Sequence, residues 1–267
     1  MRVNESIVVE TGRLFFVPYC SIHVPRYHQW MLNEDLRCAT SSDLLSLEEE
    51  FEAQRQWAEL DDRLTFIILS KDRLASLENS TASSLDDFEN VEVNSMIGDV
   101  NLFLHPVDVN NFGANDECFE GELSVMIAEP DMRGRGLASE ALAALLEFSG
   151  RHLASRLSGL VAKVSMGNPS SIKLFSSHLK FIERNRCAVF NQVDFIPPPG
   201  LWECGYTYAE PDAHRKSMLA TSRHIVNCLN KFSPGFSAVG WHYSEHDLSL
   251  WRATMSKGRQ DRICSGH

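Results

Sequence analysis

Arg133-Gly134-Arg135-Gly136-Leu137-Ala138 is the stretch of this 267-residue chain best suited to hold a phosphate. An apolar run, Leu123 to Ala128, precedes it and reads as a short buried strand, which Pro130 stops because proline cannot donate to a sheet ladder. Beyond it Leu137, Ala138, Ala141, Leu142, Leu145 and Leu146 recur at helical spacing, and Gly150 closes the segment. A helix start leaves four backbone N–H groups without an internal partner and carries partial positive charge. Gly134 and Gly136 have no Cβ, so a diphosphate could approach the backbone closely. Upstream, Glu120 and Glu122 alternate with Gly121 and Leu123. In a strand they share a face with Ser124 and Met126, so the Glu122 carboxylate could point into a cleft and take a proton through a water, with Glu120 the alternative on the same face. The plainer alternative for both is an exposed glutamate at a strand end.

Two glycines before a helix also describe an ordinary turn, and the other phosphate motifs do not fit. A dinucleotide fingerprint fails because G-x-G-x-x-G is incomplete, and a nucleotide-triphosphate loop fails because no Gly-Lys-Ser/Thr is present. What remains is R-x-x-G-x-A, which resembles the acetyl-CoA motif, Q/R-x-x-G-x-G/A, of the GNAT acetyltransferase superfamily. About thirty residues later Asn168-Pro169-Ser170-Ser171-Ile172-Lys173-Leu174-Phe175 resembles the superfamily's Asn-x-x-Ser-x-x-x-Tyr/Phe helix.

The resemblance implies a division of labour. Arg133 to Ala138 would hold the diphosphate of acetyl-CoA, the co-substrate. Met126, Ile127 and Ala128 would pair with its pantetheine arm, with a backbone N–H near Ile127 as oxyanion donor. Asn168 would contact the same arm, with Ser171 and Phe175 on the helix that follows. Many GNAT enzymes carry a tyrosine at the Phe175 position to protonate the leaving thiolate, and phenylalanine has no proton to give. The acceptor's own ammonium or a water must then supply it, or catalysis is weak.

Composition bounds the rest. With 43% hydrophobic residues the chain can bury a substantial core, and no apolar run approaches the ~20 residues that span a bilayer. Seven scattered cysteines without a C-x-x-C pair suit a reducing compartment, so the expected home is the cytoplasm, with the nucleus as a second location. Net charge is −11, with residues 201–267 holding eight Lys/Arg against six Asp/Glu and residues 1–200 holding 17 against 30. An acidic body argues against nucleic acid as a partner and is compatible with an amine. No membrane partner and no metal are expected; His242 and His246, four apart, lack a third ligand.

Along the chain, residues 7–19 read as two short strands around Thr11-Gly12, and Leu44 to Leu60 as a helix begun by a Ser46/Glu49 capping box. The stretch His23 to Met31, HVPRYHQWM, resembles the N-acetyltransferase 9 family, as does Gly98-Asp99-Val100-Asn101-Leu102-Phe103-Leu104. That resemblance implies a protein acceptor, with tubulin the candidate partner. Tyr27 and Trp30 could line its pocket; an aromatic helix face packed on a sheet is the alternative. Thr65–Leu69, Met96–Leu104 and Leu160–Val164 read as strands and Cys187–Phe195 as the last one. Ser76–Asn94 and His105–Phe119 read as polar loops. At Pro197-Pro198-Pro199-Gly200 the pattern changes, and Ala213–Phe232 could form one amphipathic helix.

The expected fold is therefore α/β: a GNAT fold with a mixed, mostly antiparallel central sheet flanked by helices, plus a C-terminal extension. Residues 6–196 form the expected N-acetyltransferase domain, and residues 197–267 a divergent, partly helical or disordered extension. A chain cut after Gly200 should then fold alone. The expected activity is acetyl transfer to a protein amine, N-terminus or lysine, by direct attack in a ternary complex. A catalytically weak scaffold acting on partners such as microtubules is the alternative.

Overall fold

In the computed structural model, residues 2–78, 88–107, 118–153, 156–201, 213–232 and 242–265 are described. Nine strands form one mixed sheet in the order β7-β8-β6-β5-β4-β3-β2-β1-β9. They are β1 (Ile7–Thr11), β2 (Leu14–Pro18), β3 (Arg63–Ser70), β4 (Met96–Pro106) and β5 (Cys118–Ile127). The remainder are β6 (Arg156–Ser165), β7 (Ile182–Cys187), β8 (Gln192–Ile196) and β9 (Tyr243–Asp247). Every pairing is antiparallel except β5 with β6. That parallel pair needs a crossover, which α6 (Leu137–His152) supplies.

The helices divide between the two faces. On one, α6 packs against α8 (Ala213–Phe232), and Met218, Ile225, Val226 and Leu229 of α8 share a core with Leu142, Leu146 and Phe148 of α6. The other face is covered by α1 (Val24–Met31), α3 (Leu47–Glu59), α5 (Phe88–Asn94) and the C-terminal α9 (Leu248–Ser265). Two short helices, α2 (Glu34–Thr40) and α4 (Lys71–Glu78), join these elements, and α7 (Pro169–Lys173) follows β6. Local signals explain the starts. Asn33 caps α2 through Leu36 N–H, and the Ser46/Glu49 box expected from the sequence caps α3 with both its bonds formed.

Some expectations need correcting. Ser76–Asn94 is not wholly a loop: α4 runs through Glu78 and α5 covers Phe88–Asn94, with 79–87 outside the described residues. The segment Cys187–Phe195 is not one strand but the end of β7, a turn through Asn191, and most of β8. Of the expected loop His105–Phe119, residues 105–106 end β4 and 118–119 begin β5, while 108–117 lie outside the described residues.

The extension is woven into the rest. β9 adds a strand to the sheet by pairing with all of β1, from Ile7 opposite Asp247 to Thr11 opposite Tyr243. Trp251 of α9 is buried 5.2 Å from the ring of Phe15. Below it, His23 and Glu92 are completely buried, and Arg252 donates two hydrogen bonds to the Glu92 carboxylate, at 2.9 and 2.7 Å. The imidazole Nδ1 of His23 accepts from Cys20 N–H, so its Nε2 carries the proton toward Glu92, 3.0 Å away. Arg252 is then the cation that neutralises this buried carboxylate.

Candidate active site

The site begins where two strands part. β5 pairs with β6 only from Cys118 to Glu122, opposite Arg156 to Val161; from Ala162 onward β6 pairs with β8 instead. Leu123 to Ile127 thus keep β4 on one side and open a gap on the other. Ala128 N–H bonds back to Ile97 O of β4 at 2.8 Å. By strand alternation the backbone groups of Val125 and Ile127 point the opposite way, into the gap. The Arg133 guanidinium holds the two carbonyls at the strand's end, its Nε donating to Ile127 O at 2.9 Å and its Nη2 to Ala128 O at 2.7 Å. Gly98 lies opposite Ile127, and a Cβ there would sit 1.8 Å from Met126 O, so the close approach of the two strand ends requires glycine.

The turn after the strand is built of backbone. Gly134 and Gly136 both have positive φ, 72° and 76°, a conformation glycine adopts without strain. Gly136 is the N-cap of α6 and offers no side chain to the first-turn N–H groups of Leu137 and Ala138. A Cβ on Gly134 would meet nothing within 4 Å, so the space over the turn is open. The buried Glu140 anchors the turn from beneath: it accepts from Thr11 Oγ1 at 2.7 Å and from Arg13 Nε at 2.7 Å. Arg13 Nη1 in turn donates to Arg135 O at 2.8 Å. Uncapped helix N–H groups, open space and flanking arginines fit a diphosphate.

Across the gap, the side chain of Asn168 caps α7, its Oδ1 accepting from Ser171 N–H at 3.0 Å, and its Nδ2 lies 3.5 Å from Ala39 O. Phe175 is buried in the core beside Phe181 and Phe195, at a π-helical turn spanning Leu174–His178. Both candidate bases carry cationic partners. Glu122 Oε2 lies 2.7 Å from Lys163 Nζ and 2.8 Å from His105 Nε2. Glu120 accepts from the Arg184 guanidinium.

Tyr27 and Trp30 are both buried under α1, on the face that carries Met126 and Ala128. Trp30 Nε1 donates to Glu129 at 2.8 Å, and Arg26 and Arg73 complete the cage around that carboxylate at 2.6 and 3.1 Å. Burial alone would raise Glu129, but the Trp30 bond and the two guanidiniums outweigh it and hold its carboxyl below the usual range. The cage fixes α1 to the end of β5, just before the turn.

Sequence reasoning missed the group beside Tyr27. Asp99 is 3% exposed and accepts from Asn101 Nδ2 at 2.8 Å, with Tyr27 Oη 3.5 Å away. Burial raises its carboxyl to about 6, against the bonds from Asn101 and Tyr27, which lower it. An Asp and an Asn alternating inside an otherwise apolar strand, G-D-V-N-L-F-L, were the available signal. Among the described residues no group of three or more His, Cys, Asp or Glu could hold a metal ion, and no helix is long and apolar enough to cross a membrane.

Comparison with known proteins fits this geometry. Residues 13–178 match the family model described as an acetyltransferase (GNAT) domain. Over 198 residues the chain is 37% identical to alpha/beta-tubulin-N-acetyltransferase 9 of Drosophila melanogaster, covering 74% of this chain and 90% of that protein. It is 35% identical over 198 residues to an N-acetyltransferase 9-like protein of Caenorhabditis briggsae, covering 74% and 89%. The human alpha/beta-tubulin-N-acetyltransferase 9 is 37% identical over 194 residues, covering 72% and 84%.

Proposed function

Because the chain belongs to the GNAT acetyltransferase family, we propose that this N-acetyltransferase moves the acetyl group of acetyl-CoA to a primary amine of a protein, by direct attack in a ternary complex. Acetyl-CoA supplies an activated acyl carbon on a thiol leaving group. The observation that carries the proposal is the gap between β5 and β6, which runs straight into an uncapped helix start at Gly136. Val125 and Ile127 offer backbone groups to an extended arm in that gap, with Met126 and Ala128 between and beyond them. The N–H groups of the Gly134–Ala138 turn are suited to a diphosphate, and Arg133 and Arg135 add charge there. Asn168, Ser171 and Phe175 would border the arm from the far side, Asn168 through its amide nitrogen and Phe175 only by shaping the wall. The N–H of Ile127 is suited to meet an oxyanion.

The amine enters on the face covered by α1 and α3, where Tyr27 and Trp30 line the wall. Its proton must go to a group of this chain or to water. Glu122, with Glu120 behind it, is the proton acceptor read from the sequence. The fly and human relatives bear tubulin in their names, so tubulin N-termini are the first protein acceptors to try. The cytoplasm is the compartment in which this substrate is met.

The test is turnover of acetyl-CoA with a panel of peptides carrying free N-termini, peptides with only lysine amines, and polyamines, read as free thiol and product mass. Thiol release matched by peptide acetylation is expected. Bound acetyl-CoA with no transfer to any amine would favour the scaffold reading, to which the buried, protonless Phe175 lends its weight.

A further inference from the structure

The face of the sheet under α1 and α3 holds a polar cluster that nothing in the fold requires. Asp99 and Asn101 of β4 stand opposite Met126 and Ser124 of β5, so all four share one face. Thr65 of β3 faces Asn101 and joins them. Tyr19 and Tyr27 approach from above, their rings 5.2 Å apart, and Trp57 lies 6.4 Å from Tyr19. Glu50 of α3 is 5% exposed and points its carboxylate toward the same tyrosines, with which it interacts electrostatically. Asn101 Oδ1, Tyr19 Oη and Thr65 Oγ1 are buried without a hydrogen-bond partner among the described residues. Buried polar atoms are nearly always paired; three together, beside two carboxylates and three aromatic rings, describe a place waiting for donors.

A primary ammonium has three donors and no acceptor, and its charge is favoured by carboxylates and by aromatic faces. From the groups of this cluster, and resting on the reading of the chain as a protein amine acetyltransferase, we propose that it seats the acceptor's ammonium and that Asp99 takes its proton. Asp99 lies opposite Met126, one residue from the backbone that borders the gap, so the amine it deprotonates faces the reacting carbon. The protonated amine gives one proton to the Asp99 carboxylate. Its freed lone pair forms the C–N bond to the acetyl carbon, the C–S bond breaks with its electron pair on sulfur, and the second amine proton goes to that thiolate. Asp99 then returns its proton to solvent. One ammonium and one thioester become one amide, one thiol and one released proton, and Phe175 has no part in it.

Other titratable groups face this cluster and set its behaviour. They are Tyr27 from α1, Tyr19 after β2, and Glu50 from α3 with His28 beside it. At the outer end stand Glu122 with its partners Lys163 and His105, and Arg63 over the Trp57 and Phe103 rings. None of these cations reaches Asp99 by a hydrogen bond or ion pair among the described residues.

Asp99→Asn keeps the shape and removes the base. With the full chain and a peptide that the wild type acetylates, turnover at neutral pH should fall by about 100-fold or more, with acetyl-CoA affinity unchanged. The deficit should shrink as pH rises and the amine deprotonates unaided. In the wild type, kcat/KM should fall as pH drops through about 6, and the Asp99 carboxyl, followed by carbon-13 NMR, should titrate there. Glu50→Gln should raise the peptide KM more than it lowers kcat. An active wild type with Asp99→Asn turning over equally well, or with a deficit that does not shrink at high pH, overturns this inference and leaves the acetyltransferase reading standing; Glu122→Gln then tests the base read from the sequence. A wild type inactive on every amine defeats that reading itself. Should Asp99→Asn fail to fold, the wild-type NMR titration decides: a carboxyl that titrates in the ordinary range near 4 overturns the assignment.

Discussion

The two faces of the central sheet are built for different purposes. Beneath α6 and α8 the sheet meets a mostly apolar layer, with Phe16, Phe66, Phe148, Leu142 and Ile225 all essentially inaccessible, although Ser139, Ser149, Thr221 and Ser222 are buried there too and Ser149 Oγ has no hydrogen-bond partner among the described residues. Glu140, also fully buried, is satisfied there by Thr11 and Arg13. Beneath α1 and α3 the layer is broken by Asp99, Asn101, Thr65, Tyr19 and Glu50, and several of their polar atoms have no hydrogen-bond partner among the described residues. Leaving such a group unpaired costs about 1–3 kcal/mol each, so a face selected for stability alone would replace them with apolar residues. The contrast favours the proposal that the chemistry takes place on the second face. The glycine turn at the end of β5 lies at their junction.

The apolar face depends on the extension, and this is where the contrast breaks most easily. α8 contributes Met218, Ile225, Val226 and Leu229 to the larger core, while β9 covers the edge of β1 and Trp251 fills the second core. Removing residues 201–267 is therefore expected to abolish cooperative unfolding, the reverse of what the proline boundary at 197–199 implies by itself. Thermal unfolding of the truncated chain checks this. A sharp transition near that of the full protein would show that the apolar face closes without α8.

Gly136→Glu should have the next largest effect, confined to the junction. A side chain at φ 76° is strained, and its carboxylate would stand at the proposed diphosphate site. Acetyl-CoA binding should weaken at least ~100-fold, by about 2.7 kcal/mol, in a protein that still folds; a calorimetric titration reads both.

A smaller effect is expected at the lock between the extension and the chemical face. Arg252→Met leaves the Glu92 carboxylate buried against neutral His23 and should cost about 3 kcal/mol. The pH dependence has a definite sign. Burial pushes Glu92 up, but its bonds to His23 and Arg252 prevail and hold its carboxyl below the usual range. That contribution is present above the unfolded pKa and lost as pH falls through the folded one. Burial lowers His23, despite its bond to Glu92, so the unfolded chain binds the imidazole proton more readily. Its contribution too is lost on acidification, from about pH 6.5 downward. The melting temperature should fall from neutral to acid pH, and less steeply when Glu92→Gln and His23→Gln are combined, since Glu92→Gln alone would only lower His23 further. An equally steep fall in that variant would move the acid sensitivity elsewhere.

How much of this was legible in the sequence follows the same division. The glycine turn could be read because its parts are contiguous: strand, proline, two glycines, helix. The strands β3 and β4, the capping box at Ser46 and the helix Ala213–Phe232 could be read for the same reason, since pattern and element coincide. β7 could not, because every residue of Ile182–Arg186 is exposed and the edge strand is held by backbone bonds to β8 rather than by apolar alternation. β9, Tyr-Ser-Glu-His-Asp, hides in the same way. α5 looked like loop because its buried Glu92 is polar, and its partner Arg252 lies 160 residues away. Asp99 read as one letter of a strand; what gives it a chemical identity is its burial and Tyr27 at a separation of 72 residues.

The division between the faces and the junction is tested most directly by backbone hydrogen exchange with and without acetyl-CoA. Protection is expected at Val125 and Ile127, whose N–H groups point into the gap, and at the first-turn amides of α6 after Gly136. Amides of β3 and α8 should exchange as before. Unchanged exchange along Leu123–Ser139 in a sample shown by calorimetry to be saturated, or protection centred on any other segment, would contradict the account.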